Sequence, residues 1–220
     1  MKSVGVKAGA VLLGLLLLLG SGVMAFASSY TAYIVPSGTT GNQDFNGSLG
    51  MDFDVNMPIV VTSLGAFDSG QDGFQNAITV ALFNRVTEQI VGSTVTFTGT
   101  PSLEGGSSFQ TITPIPLPAG FQGSIVASGY NASEPNGNAG IFSPPSPNRT
   151  MDDGGGLISF VGYGRWDNTQ GIYPRSVDTA PPNRYAAGTF QYSAVPIPGA
   201  LWLFSSGLVG LVGIRRRVKK

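Results

Sequence analysis

Cysteine and histidine are both absent from the chain. Without a thiol there is no disulfide, no thiolate nucleophile and no thiolate metal site. Without imidazole, the Ser-His-Asp and Cys-His nucleophile systems and histidine-ligated zinc are excluded as well. Lysine is missing from the interior: all four, Lys2, Lys7, Lys219 and Lys220, sit in the end segments. Between residues 28 and 194, five arginines (Arg85, Arg149, Arg165, Arg175 and Arg184) face all twelve carboxylates, a net charge of −7. Nucleic acid is set aside as a partner, because its phosphates need a positive surface. The interior also lacks any apolar run with a sustained helical period. Disulfide staples are not required, since a body of about 167 residues is long enough to bury one core unaided.

What charge the ends carry is arranged for export. Lys2 and Lys7 precede an apolar stretch over residues 8–19, and Ala25-Phe26-Ala27 places small residues where a signal peptidase cuts. Residues 1–27 are therefore expected to be a signal peptide, with Ala25 and Ala27 marking the cleavage site and Ser28 starting the mature chain; an uncleaved anchor is the competing reading. At the other end, residues 195–214 carry no formal charge, near the roughly 20 residues needed to cross a bilayer core. Pro196 and Pro198 fix an extended junction, so a membrane-crossing helix is expected over about residues 199–214. Arg215, Arg216, Arg217, Lys219 and Lys220 then hold the terminus on the cytoplasmic side.

Taken together, Val195-Pro196-Ile197-Pro198, the apolar segment and the basic cluster resemble the PEP-CTERM sorting signals of Gram-negative bacteria that make extracellular polysaccharide. Ile197 stands where the name-giving motif has Glu, so the tail is similar to the Val-Pro-Leu-Pro and Val-Pro-Ile-Pro variants. The resemblance implies an exosortase that processes the chain near 195–198, transient residence in the inner membrane, and delivery to the cell surface or beyond in association with exopolysaccharide or biofilm. A single-pass anchor that is never cut is the alternative. Residues 41–73 and 184–190 also resemble the bodies of other PEP-CTERM surface proteins, a likeness that supplies no activity.

Residues 28–194 are rich in Gly, Ser, Thr, Asn and Pro, with short alternating apolar bursts. That pattern predicts an all-β domain, with strands over residues 30–35, 49–55, 59–67, 78–84, 90–98, 108–112, 123–130, 157–163 and 185–194. Nine short strands separated by turn residues point to an antiparallel two-layer β-sandwich, jelly-roll-like, which limits exposed sheet edges. Residues 131–153 and 167–183 are proline-rich and predicted as surface loops.

Three sets of residues invite chemistry. Asp68-Ser69-Gly70-Gln71-Asp72-Gly73 sets two carboxylates four residues apart in a glycine-containing turn, which can wrap a hard cation such as calcium through Asp68 and Asp72, with Asp52 or Asp54 as additions. It is not an EF-hand, since Thr79 occupies the twelfth position, and a solvated turn is the plain reading. Trp166, with Tyr163 and Tyr173 close in sequence, offers aromatic faces for a sugar ring, or else caps the core. A glycosidase pair could be drawn only from carboxylates such as Glu88, Glu104, Glu134, Asp152 and Asp153. The leading expectation is a non-enzymatic exported surface or matrix protein handled by a signal peptidase and an exosortase. A carbohydrate-binding module and a carboxylate-dependent polysaccharide hydrolase are the alternatives.

Overall fold

A computed structural model describes residues 28–100, 102–141 and 149–195. All of them belong to one compact unit, Ser28–Val195. In chain order the strands are β1 (Ser29–Thr31), β2 (Tyr33–Ile34), β3 (Ser48–Val55), β4 (Ile59–Phe67), β5 (Phe74–Asn84), β6 (Val95–Gly99), β7 (Leu103–Glu104), β8 (Ser107–Leu117), β9 (Gln122–Ser128), β10 (Gly137–Asn138), β11 (Thr150–Met151), β12 (Ile158–Asp167), β13 (Ser176–Asp178), β14 (Tyr185–Ala186) and β15 (Gly188–Ala194). The unit is all-β, as the alternating pattern predicts, and its sheets are antiparallel and curl into a half-barrel.

Five strands form one sheet in the order β1-β15-β4-β8-β7, and six form another in the order β13-β12-β3-β9-β5-β6. Period-two alternation decides which side chains go inward. Leu49, Met51, Phe53 and Val55 of β3 are buried in the same cluster as Leu64 and Ala66 of β4 and Phe190 and Tyr192 of β15. Phe53 from the six-stranded sheet meets Phe190 from the five-stranded one with ring centroids 4.7 Å apart, so the two sheets share a core. Tyr130 is wholly buried at the same junction, and its hydroxyl donates toward the carbonyls of Phe67 and Ala187, each 3.0 Å away. Those bonds give a buried polar tip the partners it needs.

Several boundaries differ from the sequence reading for physical reasons. The strand expected over 108–112 runs on to Leu117 despite Pro114 and Pro116. Among the described residues β7 pairs with Ser107 and Ser108 alone, so the rest of β8 lies on a sheet edge there, where a missing N–H costs no ladder bond. The ladder with β4 also slips between Val61 and Ser63, opposite Ile112, Thr113 and Pro114. The expected strand over 30–35 divides at Ala32, β1 pairing with β15 and β2 with β11. The proline-rich stretch over 131–153 is less of a surface loop than expected, because Glu134, Asn136 and Asn138 are buried within it.

The expected signal peptide, the helix over 199–214 and the basic cluster lie outside the described residues. Among the described residues, no helix is long and apolar enough to cross a membrane.

Candidate functional site

β12 organises the most distinctive surface. Against β3 its register jumps between Phe160 and Gly164, so residues 161–163 bulge out of the ladder before pairing resumes with Gly164 opposite Met51. A bulge of this kind re-aims the side chains that follow it. Arg165 and Trp166 consequently serve opposite faces of the six-stranded sheet. Trp166 lies across from Leu49 and packs on the core, while Arg165 lies across from Gly50 and reaches Asp52 on the outer face.

On the inner side, Trp166 meets the edge of Phe45 with centroids 6.1 Å apart and planes at 87°. These two rings help line an open groove of about 250 Å³ with Asn138, Asp178, Arg184 and Tyr185. Pairing of β13 with β12 sets Asp178 beside Gly164. A Cβ at Gly164 would come within 2.9 Å of the Tyr185 ring and 3.0 Å of Arg184, and one at Gly140 would stand 1.8 Å from an Arg184 nitrogen. Glycine at both positions is what lets Arg184 lie where it does. Arg184 donates from Nε to Asn138 Oδ1 at 3.0 Å and from Nη1 to the Ala180 carbonyl at 3.2 Å; Nη1 also lies 3.1 Å from Asp178 Oδ2. Tyr185 donates its hydroxyl to the same Asp178 oxygen at 2.5 Å, and burial together with this bond raises the phenol's pKa. The Asn138 amide donates to Gln43 Oε1 at 2.9 Å, so the polar wall is cross-linked.

The other two aromatic residues of the expected sugar contact do not join Trp166. Tyr173 is buried on the outer face, against Ala81, Phe83 and Val126, with the Arg165 guanidinium 5.3 Å from its ring centre. Tyr163 is exposed within the bulge and is not part of the groove lining.

Beneath Tyr173 lies a charged cluster. The Asp52 side chain is fully buried and accepts from Arg165 Nε at 2.9 and 2.7 Å, with Arg85 Nη1 at 3.6 Å. Arg85 Nη2 also pairs with Asp54. Burial raises the Asp52 pKa, and the two guanidinium groups pull it back. Asp52 and Asp54 are thereby committed to arginines and stand apart from the 68–73 turn.

Asp68 sits at that turn and is only 1% exposed, yet neither carboxylate oxygen has a hydrogen-bond partner among the described residues. The amides of Gln71 and Gly73 lower its proton affinity without reaching bonding geometry; burial and the Asp72 charge raise it and prevail. Glu134 stands in the same electrostatic neighbourhood, its two oxygens accepting from the Ser69 amide at 2.9 Å and the Gln75 amide at 3.0 Å. Burial raises its pKa, as do the charges of Asp68 and Asp72. Three carboxyl groups therefore share one region, although no set of three acidic side chains among the described residues is spaced to hold a metal ion.

The remaining hydrolase candidates are scattered. Glu88 pairs with Arg175, Glu104 accepts from the Gln191 amide, and Asp152 and Asp153 accept from the amides of Gly154 and Gly155 in a tight turn. Val195 is the one described residue of the expected sorting motif, and its N–H donates to the Pro58 carbonyl at 3.1 Å. Comparison of the chain with protein-family models and with curated proteins gives no match.

Proposed function

We propose that this chain is a non-enzymatic exported protein of the cell surface or extracellular matrix, made with a cleaved signal peptide, held briefly in the inner membrane and sorted by an exosortase. The tripartite tail carries this reading: Val195-Pro196-Ile197-Pro198, an uncharged segment, then five basic residues among the last six. The end of the sheet supports it. β15 stops at Ala194, and after the Val195 bond to Pro58 the prolines follow at once, so the motif begins where ladder pairing ends. We further read the two larger sheets as a two-layer, jelly-roll-like sandwich, with exopolysaccharide as the material it meets outside the cell.

A processed junction depends on the extended backbone the prolines impose, whereas an inert anchor depends only on length and apolarity. Pro196→Ala combined with Pro198→Ala is therefore expected to leave a full-length precursor in the inner membrane while the unaltered chain loses its tail. Mass spectrometry of the mature C-terminus checks this. A mature product still carrying Trp202 and the terminal arginines would replace the sorted protein with a single-pass membrane protein.

The groove at Trp166 favours carbohydrate binding as a second reading. The hydrolase reading gains no comparable support, since the candidate carboxylates are dispersed over ion pairs, turns and buried backbone contacts.

A further inference from the structure

We propose that the groove formed by Phe45, Trp166, Asn138, Asp178, Arg184 and Tyr185 binds one ring of a neutral sugar chain. The inference rests on the surface-protein reading only for where such a glycan would be met.

Four observations carry it. The groove is open and encloses about 250 Å³, below the range of drug-sized pockets and of a size for a single ring. One part of its lining is aromatic: Trp166, held edge-on by Phe45, offers flat apolar area of the kind that packs on the C–H face of a pyranose. Another part is a cross-linked set of polar groups, with guanidinium and amide donors at Arg184 and Asn138 and a carboxylate acceptor at Asp178. Adjacent hydroxyls on a sugar ring need donors and acceptors side by side, and here their mutual bonds hold them in place before any ligand arrives. Finally, among the described residues the groove's lining holds one cation, Arg184, and one anion, Asp178, which neutralise each other inside a body of net charge −7. Nothing in that balance attracts a polyanionic chain, so the ligand is a neutral glycan and not a uronic-acid polymer.

Trp166 is the stacking residue and Arg184 with Asp178 the hydroxyl-reading pair. Gly140 and Gly164 make room for Arg184, and the groove draws on five separate stretches of the chain, around Phe45, Asn138, Trp166, Asp178 and Arg184.

The test uses the full chain in a non-glycosidic detergent, titrated calorimetrically with cellotetraose, laminaritetraose and mannotetraose, and with trigalacturonate as the acidic comparison. At least one neutral oligosaccharide is expected to bind and trigalacturonate to bind more weakly. Trp166→Ala is expected to weaken binding about tenfold or more, a loss within reach of one stacked aromatic residue. Trp166→Phe, which keeps an aromatic residue against the core, is expected to fall between the two. Asn138→Ala supplies a polar-side variant should Trp166→Ala fail to fold. Absence of binding by all three neutral probes would overturn the proposal, as would tighter binding of trigalacturonate or affinities indifferent to both Trp166→Phe and Asn138→Ala. Because binding is read on the uncleaved chain, it stands or falls separately from processing of the tail.

Discussion

Asp52 and Asp68 are both buried carboxyl groups, and the protein treats them in opposite ways. Asp52 lies on the outer face of the six-stranded sheet with one guanidinium bound to it and a second close by. Asp68 lies at the β4–β5 turn with no hydrogen-bond partner among the described residues, and its charged neighbours there are the acids Asp72 and Glu134. Burying a charge is costly unless it is paired, and the cost can instead be met by a bound cation or by a proton. The first region reads as a closed structural cluster. The second is an acidic site whose charge depends on what the solution supplies.

The largest expected effect tests the closed side of this contrast. Arg165→Ala leaves Asp52 buried with only Arg85 nearby, and breaking a buried pair in this way costs about 3–5 kcal/mol. Urea denaturation measures the loss, with Arg85 expected to hold it toward the lower end of that range. Asp68→Asn is the counterpart: in chelator it removes an unpaired charge and should slightly raise the melting temperature. If both substitutions destabilised equally, the distinction between the two regions would collapse.

Calcium probes the acidic side. We propose Asp68 and Asp72 as its ligands, and a cation held only by the folded chain adds about 2.7 kcal/mol at a hundredfold excess over its dissociation constant. The melting temperature is expected to rise with added calcium in the unaltered chain and to stay fixed when Asp68 and Asp72 are both replaced by Asn. An identical melt in calcium and in chelator would leave the proton as the means by which Asp68 sheds its charge.

The sequence exposes local pattern well and convergence poorly. Period-two alternation in Leu49 to Val55 identifies β3 and its inward face directly, and the glycine-rich run from Asp68 to Gly73 is legible as a turn. Proline hid the second half of β8, because its tolerance there depends on an edge position that only the sheet order reveals. Trp166 stood out as a lone tryptophan in a polar stretch of the body, yet Arg184 and Asn138, which build the groove beside it, are 46 residues apart from each other. Glu134 is named above only as one carboxylate among several, and its place beside Asp68 is hidden for the same reason, since its contact with Ser69 spans 65 positions. Gly140 and Gly164 were the local signals available, but a glycine does not say whose side chain it admits. Tyr173 shows the converse error of proximity: seven residues from Trp166, it lies on the other face of the sheet.

The smallest expected effect is the pH dependence of the acidic site in chelator. Asp68 and Glu134 both have folded pKa values raised above their ordinary ones, chiefly by burial, and each is raised further by neighbouring carboxylates. A carboxyl group whose pKa is higher when folded holds its proton more tightly in the native state. Its contribution is therefore fully present below the unfolded value, about 3.9 for Asp and 4.3 for Glu, and is lost as pH rises through the folded value. Asp52 is also raised and adds a background of the same sign, so the informative quantity is a difference between chains. Asp68→Asn removes one titrating group and relieves Glu134 of a neighbouring charge, while leaving the Asp52 cluster untouched. Acidification from neutral toward the carboxylate range is accordingly expected to stabilise the unaltered chain more than Asp68→Asn, measured by thermal melts in chelator across that range. Parallel profiles for the two chains would mean that Asp68 is ionised at no cost to the fold, and the contrast with Asp52 would then rest on geometry alone.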